Sequence, residues 1–186
     1  MLDRSAWFTI GHSTLPIQDF LDRLIAHRIA VVADVRRYPA SRRHPHFEQS
    51  RLAASLSAAG IAYEWFEDLG GRRHAADPSP TNAGWRVAAF HAYADYLSDP
   101  RFIAAFERLE RRASASATAV MCAEALWTKC HRRLIADAAT ARGWSVHHIM
   151  GVARLELHAL PVFARVVDGH LHYPRSGDPQ LSLFGV

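Results

Sequence analysis

Short apolar runs alternate along the chain with segments of helical periodicity, and this alternation constrains the fold more than any other feature. Residues 29–33 form a continuous apolar run of strand length, which is typical of a strand buried on both faces. Similar runs occupy residues 7–10, 61–65, 118–121 and 145–149. Strands that alternate with helices predict an α/β fold with a mostly parallel sheet of about five strands and helices on both faces.

The segments between these runs carry helix signals. Apolar residues recur at helical spacing from Phe20 to Ile25, and Ser13 or Thr14 is expected to cap this helix with Pro16 in its first turn. Gly60 is expected to end a second helix in the left-handed conformation. Further helices are predicted near residues 85–97 and 100–113 and from about 129 to 142, with a hairpin over 166–171.

The length and composition fit one domain. With 186 residues and a hydrophobic fraction of 49%, the chain can build one core, which we place in residues 1–175, followed by a tail over 176–186. Charges interrupt every apolar run before the roughly 18 residues of a membrane span, and no secretory signal is visible, so a cytoplasmic protein without a membrane partner is expected. The sequence leaves the oligomeric state open.

The charge permits a nucleic-acid partner. The formal net charge is +4, and basic surface attracts phosphate without reading sequence. Nearly all of the positive charge is arginine, since Lys129 is the only lysine. A GC-rich genome would produce the same bias without any nucleic-acid role.

Polar side chains follow four of the predicted strands. The ends carry Gly11-His12-Ser13, Asp34-Val35-Arg36, Cys122-Ala123-Glu124 and the pair His147-His148. Because ligands bind beyond the carboxyl ends of parallel strands, these residues predict one shared cleft. The helix that follows Glu124 is expected to offer an anion site at its N-terminus, where unpaired N–H groups and Lys129 would stabilise negative charge.

Two sets of candidate residues follow from this arrangement. The catalytic candidates are His12, Cys122, Glu124 and His131. The candidates for binding substrate or an anion are Ser13, Arg36, Ser41, Arg42, Cys130 and Arg132. Cys122 could instead be an inert buried thiol, and Glu124 could pair structurally with an arginine. For Asp34 a structural role in anchoring its loop is favoured.

We expect no cofactor and no metal. A zinc site from His12, Cys122, Cys130 and His131 has a spacing that is not a usual zinc pattern. If Cys130 and His131 are neighbours on a helix, their side chains point about 100° apart and do not converge.

The motifs together resemble a known family. The chain contains six motifs, in this order: Thr9-Ile10-Gly11-His12-Ser13, Asp34-Val35-Arg36 with Pro39 and Ser41-Arg42, Leu69-Gly70-Gly71-Arg72, Tyr93-Ala94-Asp95-Tyr96, Met121-Cys122-Ala123-Glu124 and Cys130-His131-Arg132. Together they look like the bacterial family catalogued as domain of unknown function 488. The resemblance implies a compact α/β domain and no particular reaction. A looser similarity is to rhodanese-like domains, with Asp34, Arg36 and Cys122 in comparable places. The carboxylate within residues 123–127 departs from their loop of small residues and argues against sulfur transfer.

The tail carries a separate signal. It contains Gln180, Leu181, Leu183 and Phe184, with Ser182 between them. This segment looks like the peptide with which bacterial polymerases and repair proteins bind the sliding clamp. The alternative is that these apolar side chains pack on the protein's own surface.

Three functional hypotheses follow. The first is an enzyme of DNA repair or nucleic-acid maintenance that acts on a phosphate-bearing substrate and is recruited by the sliding clamp. The second is a non-catalytic DNA-binding accessory factor, and the third is a small-molecule sulfur- or phosphoryl-transfer enzyme.

Overall fold

A mixed sheet of six strands forms the centre of the protein. The structure is a computed structural model, and it describes residues 6–74, 77–167 and 169–175. The strands of the main sheet are β1 (Ala6–Gly11), β2 (Val31–Asp34), β3 (Ala62–Trp65), β4 (Thr118–Cys122), β5 (Ser145–Ile149) and β6 (Leu155–Leu157). Their spatial order is β3-β2-β4-β1-β5-β6. The first five strands pair in parallel, which confirms the predicted α/β fold.

The sixth strand is the one the sequence did not predict. β6 pairs antiparallel with β5 and closes that side of the sheet. It has three residues, and Leu155 and Leu157 are both exposed, so it lacks the buried apolar run that marks the other strands. The predicted hairpin is confirmed as a separate pair of strands, β7 (Arg165–Val167) and β8 (His170–His172).

Helices cover both faces of the sheet. On one face α1 (Ile17–Ala26) and α2 (Gln49–Ala58) bury apolar side chains that include Phe20 and Leu52 against β1 and β2. On the other face lie α3 (Ala88–Tyr96), α4 (Pro100–Ala115) and α5 (Arg132–Ala141), with Tyr93, Phe106 and Ile135 in a second core. A sheet buried on both sides explains why its strands read as continuous apolar runs.

Several helix boundaries differ from the prediction. Pro16 is the N-cap of α1, and no side chain caps that helix, so the expected cap by Ser13 or Thr14 is wrong. Ser13 has a positive φ of 46°, which takes it out of the conformation a capping residue adopts. Gly60 follows α2 with φ of 73°, as predicted. The last helix begins at Arg132 rather than near 129, because a short 3-10 turn precedes it.

Within the described ranges, no helix has the length and apolar character needed to cross a membrane. The predicted clamp-binding residues 180–184 lie outside the described residues.

Candidate functional site

A cleft of about 290 Å³ lies at the carboxyl ends of β1, β2 and β4. Six of the candidate residues line it: His12, Arg36, Ser41, Cys122, Glu124 and His131. The rest of the lining consists of Arg37, Tyr38, Ala40, Gly71, Arg72 and Ala123. The strand ends thus bring together side chains that are far apart in the sequence.

The other candidates lie outside this lining. Arg132 is 1% exposed, and its Nη1 and Nη2 donate to the backbone carbonyls of Glu124 and Ala125 at 2.5 and 2.8 Å. Its guanidinium therefore holds the loop after β4 and does not face the cleft. Cys130 is 2% exposed and lies beside Cys122 and His131. Arg42 is exposed, and His147 and His148 sit within β5 rather than at its end.

Arg36 lines the cleft, and most of its N–H groups already bind other groups of the same chain. Its Nε and Nη2 bind the Asp34 carboxylate, and its Nη1 donates to the Phe47 carbonyl at 2.7 Å. A further contact of 3.4 Å joins Nη1 to His12 Nε2. Few N–H groups of Arg36 remain for a ligand, so its geometry suits positioning more than anion capture.

His12 is held as a neutral imidazole. Its Nδ1 lies 3.0 Å from the Ser13 carbonyl, which assigns the proton to Nδ1 and leaves Nε2 as the acceptor facing Arg36. The ring stacks on Phe47 with centroids 4.0 Å apart. Burial, aided by the Arg36 charge, lowers the pKa of His12 to about 4.

Two thiols and an imidazole meet beside the cleft. His131 Nδ1 lies 3.8 Å from Cys122 Sγ and 3.8 Å from Cys130 Sγ. The pKa of the Cys122 thiol lies well below its ordinary value, mainly because Cys130 donates its S–H to the Cys122 sulfur. The same bond raises the pKa of Cys130, which keeps the shared proton.

The expectation that Cys130 and His131 diverge is wrong. That argument placed both residues on a helix, but Cys130 has extended backbone with φ of −120° and ψ of 145° and lies before α5. His131 is the N-cap residue of α5. The change of backbone direction between them turns both side chains toward Cys122.

Sequence reasoning missed the contribution of Arg72. It adopts a positive φ of 59°, a conformation that costs a residue with a side chain about 1–3 kcal/mol and that is concentrated at functional sites. It follows Gly71, which packs so closely on His131 that a Cβ there would lie 2.8 Å from Nδ1. The glycine pair in a long loop was the available signal for this close approach.

A second polar cluster, also missed, lies in the core away from the cleft. Thr9 Oγ1 contacts His148 Nδ1 at 2.7 Å, and His148 Nε2 contacts His158 Nδ1 at 3.0 Å. His158 Nε2 and the Tyr173 hydroxyl then donate to the Asp137 carboxylate at 2.7 and 2.8 Å. This chain of bonds joins β1, β5, α5 and the segment after β8, so its role is to hold the fold together.

The fold and cleft define an α/β domain with a strand-end site built from histidine, cysteine, arginine and glutamate side chains. The chain matches the family described as Domain of unknown function DUF488 over residues 16–139, about two thirds of its length. The chain therefore belongs to that family. Searches among curated proteins and among solved structures found no match.

Proposed function

We propose that this protein is an enzyme of nucleic-acid maintenance that acts on a phosphate-bearing substrate in the strand-end cleft. The observation that carries the proposal is the composition of the cleft wall. Arg37 and Arg72 stand at the cleft together with Arg36, and Glu124 is the one acidic side chain among the lining residues. A wall with this excess of positive charge favours an anionic ligand.

Arg37 and Arg72 are the arginines of the cleft that remain available to bind a substrate. Among the residues that the structure describes, Arg37 forms only a long ion pair with Glu67, at 3.6 Å, and both side chains are partly exposed. Arg72 forms no ion pair within the described part of the chain, and its guanidinium lies 5.8 Å from the Tyr38 ring centre. Because Arg36 is engaged with Asp34, Arg72 is the stronger candidate for direct phosphate contact.

Glu124 is the candidate for proton transfer in this proposal. It is exposed, and no hydrogen bond or ion pair engages its carboxylate among the residues that the structure describes. Its backbone is fixed all the same, because its carbonyl accepts from Arg132. A free carboxylate on a fixed backbone at the rim of a cationic cleft suits a general acid or base.

The link to nucleic acid rests on the sequence. The net charge of +4 favours a polyanion, and the tail residues Gln180, Leu181, Leu183 and Phe184 resemble a sliding-clamp peptide. Recruitment by the clamp would place the cleft near newly made or repaired DNA.

Anion binding is tested first, with the full chain and inorganic phosphate or pyrophosphate in thermal unfolding. We expect either anion to raise the unfolding temperature, and Arg72→Gln to lose most of that rise. Arg51→Gln is the control, because Arg51 is an exposed arginine on α2 that does not line the cleft. Equal responses in the two variants would reject the cleft as the anion site.

Catalysis is tested with oligonucleotides that carry terminal phosphates and with small phosphomonoesters. We expect release of phosphate or strand scission by the native protein and its loss in Glu124→Gln. If oligonucleotides bind without turnover, the protein is a non-catalytic DNA-binding factor. Turnover of small esters alone would place it among the small-molecule enzymes.

A further inference from the structure

We infer that Cys122, Cys130 and His131 form a binding site for a thiophilic divalent cation, and that the cation is zinc. The two sulfur atoms and one ring nitrogen all lie within 4.8 Å of one another. Tetrahedral zinc needs sulfur atoms about 3.8 Å apart and sulfur–nitrogen separations of about 3.6 Å, given its bond lengths to cysteine and histidine. The observed sulfur–nitrogen distances of 3.8 Å are close to this requirement.

The imidazole is oriented for metal binding. His131 Nε2 lies 3.1 Å from the Val35 carbonyl, so this nitrogen carries the proton and Nδ1 presents its lone pair to the sulfurs. Zinc-binding histidines regularly donate their second N–H to a carbonyl or carboxylate, which fixes the ring and raises its basicity. Val35 directly precedes Arg36. The two residues that follow β2 therefore supply the carbonyl that orients His131 and a guanidinium that lines the cleft.

The two sulfur ligands are enclosed by the protein. Both thiols are buried, with 7% and 2% exposure. Metal binding would convert both thiols to thiolates, and the charge of a divalent cation between them would offset the cost of burying that negative charge.

The donor set selects among metals. Thiolate and imidazole ligands favour zinc over magnesium or calcium, which prefer oxygen ligands. Three protein ligands are the number found in catalytic zinc sites, where a water or the substrate takes the fourth position. Cys122 and His131 both line the cleft, so the fourth position opens toward it. Contact between the fourth metal position and a phosphate oxygen depends on the proposed function. Metal binding itself does not depend on it.

Metal content and cobalt spectroscopy test the site with the full chain under reducing, oxygen-free conditions. After loading with zinc and desalting, we expect one zinc per chain. Cobalt(II) should give sulfur-to-metal charge transfer and the intense visible bands of a tetrahedral ion, both removed by added zinc. Cys130→Ser and His131→Gln should weaken zinc binding by more than the roughly 100-fold loss that outer-shell changes reach. His44→Gln is the control for histidines that bind zinc adventitiously.

A measurement on the native protein covers the case in which these variants fail to fold. Bound zinc should protect Cys122 and Cys130 from iodoacetamide, and a chelator should restore the reaction, as read by mass spectrometry. The proposal is overturned by equal zinc content in the native chain and a folded Cys130→Ser variant, by an octahedral cobalt spectrum without charge transfer, or by thiols that zinc does not protect. If cobalt binds as expected but phosphate leaves its spectrum unchanged, the metal site stands and the proposed phosphate substrate loses support.

Discussion

Arg36 Nη2 lies 2.5 Å from Asp34 Oδ2, in an ion pair whose side chains are 6% and 0% exposed. The same carboxylate oxygen accepts the Tyr63 hydroxyl at 2.8 Å. Since Arg36 also donates to the Phe47 carbonyl, the pair joins the end of β2 to β3 and to the segment before α2. This supports the structural role that the sequence favoured for Asp34.

Removing one charge of this pair should destabilise the fold. We expect Asp34→Asn to lower the free energy of unfolding by about 3–5 kcal/mol, because it leaves a buried guanidinium without its counter-charge. Urea denaturation measures the loss. Arg154→Gln is the control, since it breaks an ion pair whose arginine is 70% exposed and should cost less than about 1 kcal/mol. Similar losses in the two variants would contradict the assigned role.

Gly11 should tolerate no side chain. A Cβ there would lie 1.9 Å from the Glu124 carbonyl oxygen, which Arg132 holds in place. We expect Gly11→Ala to cost more than about 3 kcal/mol or to prevent folding, as backbone clashes in a packed core do. Gly60→Ala should cost about 1–2 kcal/mol, because a Cβ there has no neighbour within 4 Å in the described part of the chain and strains only a positive φ. Equal unfolding midpoints in urea would refute this comparison.

Acid should weaken the fold through His148. Burial, reinforced by His158, lowers its pKa from 6.5 to about 3. Between these values the unfolded chain binds a proton that the folded chain excludes. The free energy of unfolding therefore falls as the pH drops below 6.5, by up to about 1.4 kcal/mol per pH unit from this group.

Urea denaturation at several pH values between neutral and mildly acid checks this dependence. We expect His148→Gln to be less stable near neutrality but to lose less stability on acidification. Thr9→Val is the control, because it removes the hydroxyl partner of His148 and leaves the imidazole buried. An unchanged pH slope in His148→Gln would mean that other groups carry the acid response.

The tail should bind the sliding clamp as a peptide. We expect a labelled peptide covering residues 178–186 to bind with micromolar affinity, about 8 kcal/mol, since the loss of conformational entropy of a short free peptide opposes binding. Fluorescence anisotropy measures it, with Leu183→Ala combined with Phe184→Ala as the matched variant. Equal binding by both peptides would remove the link to replication and repair.

The strand-end candidates could be predicted because parallel strands put their carboxyl ends on one edge. That rule places His12, Arg36, Cys122 and Glu124 at one cleft before any coordinates are known. It cannot say which way a side chain turns beyond the strand. Arg132 illustrates this limit, because three nearby carbonyls take up its donors and remove it from the cleft.

The relation between Cys130 and His131 depended on one helix boundary. Starting α5 near residue 129 separates the two side chains, whereas its true start at Arg132 lets them converge. Helix propensity locates the end of a helix only to within a few residues.

The buried contact of Thr9 with His148 spans 139 positions, and no local pattern identifies such a partner.

The position of β1 between β4 and β5 has a consequence for synthesis. Its residues pair with partners more than 100 positions later, such as Phe8 with Ala119 and Trp7 with Val146. While the chain emerges from the ribosome, the first strand has no neighbour to pair with, and the side chains of Trp7 and Ile10 stay in water. Contacts of such long separation close late and slowly. The first strand can therefore enter the sheet only after β4, more than 100 residues later, has been synthesised.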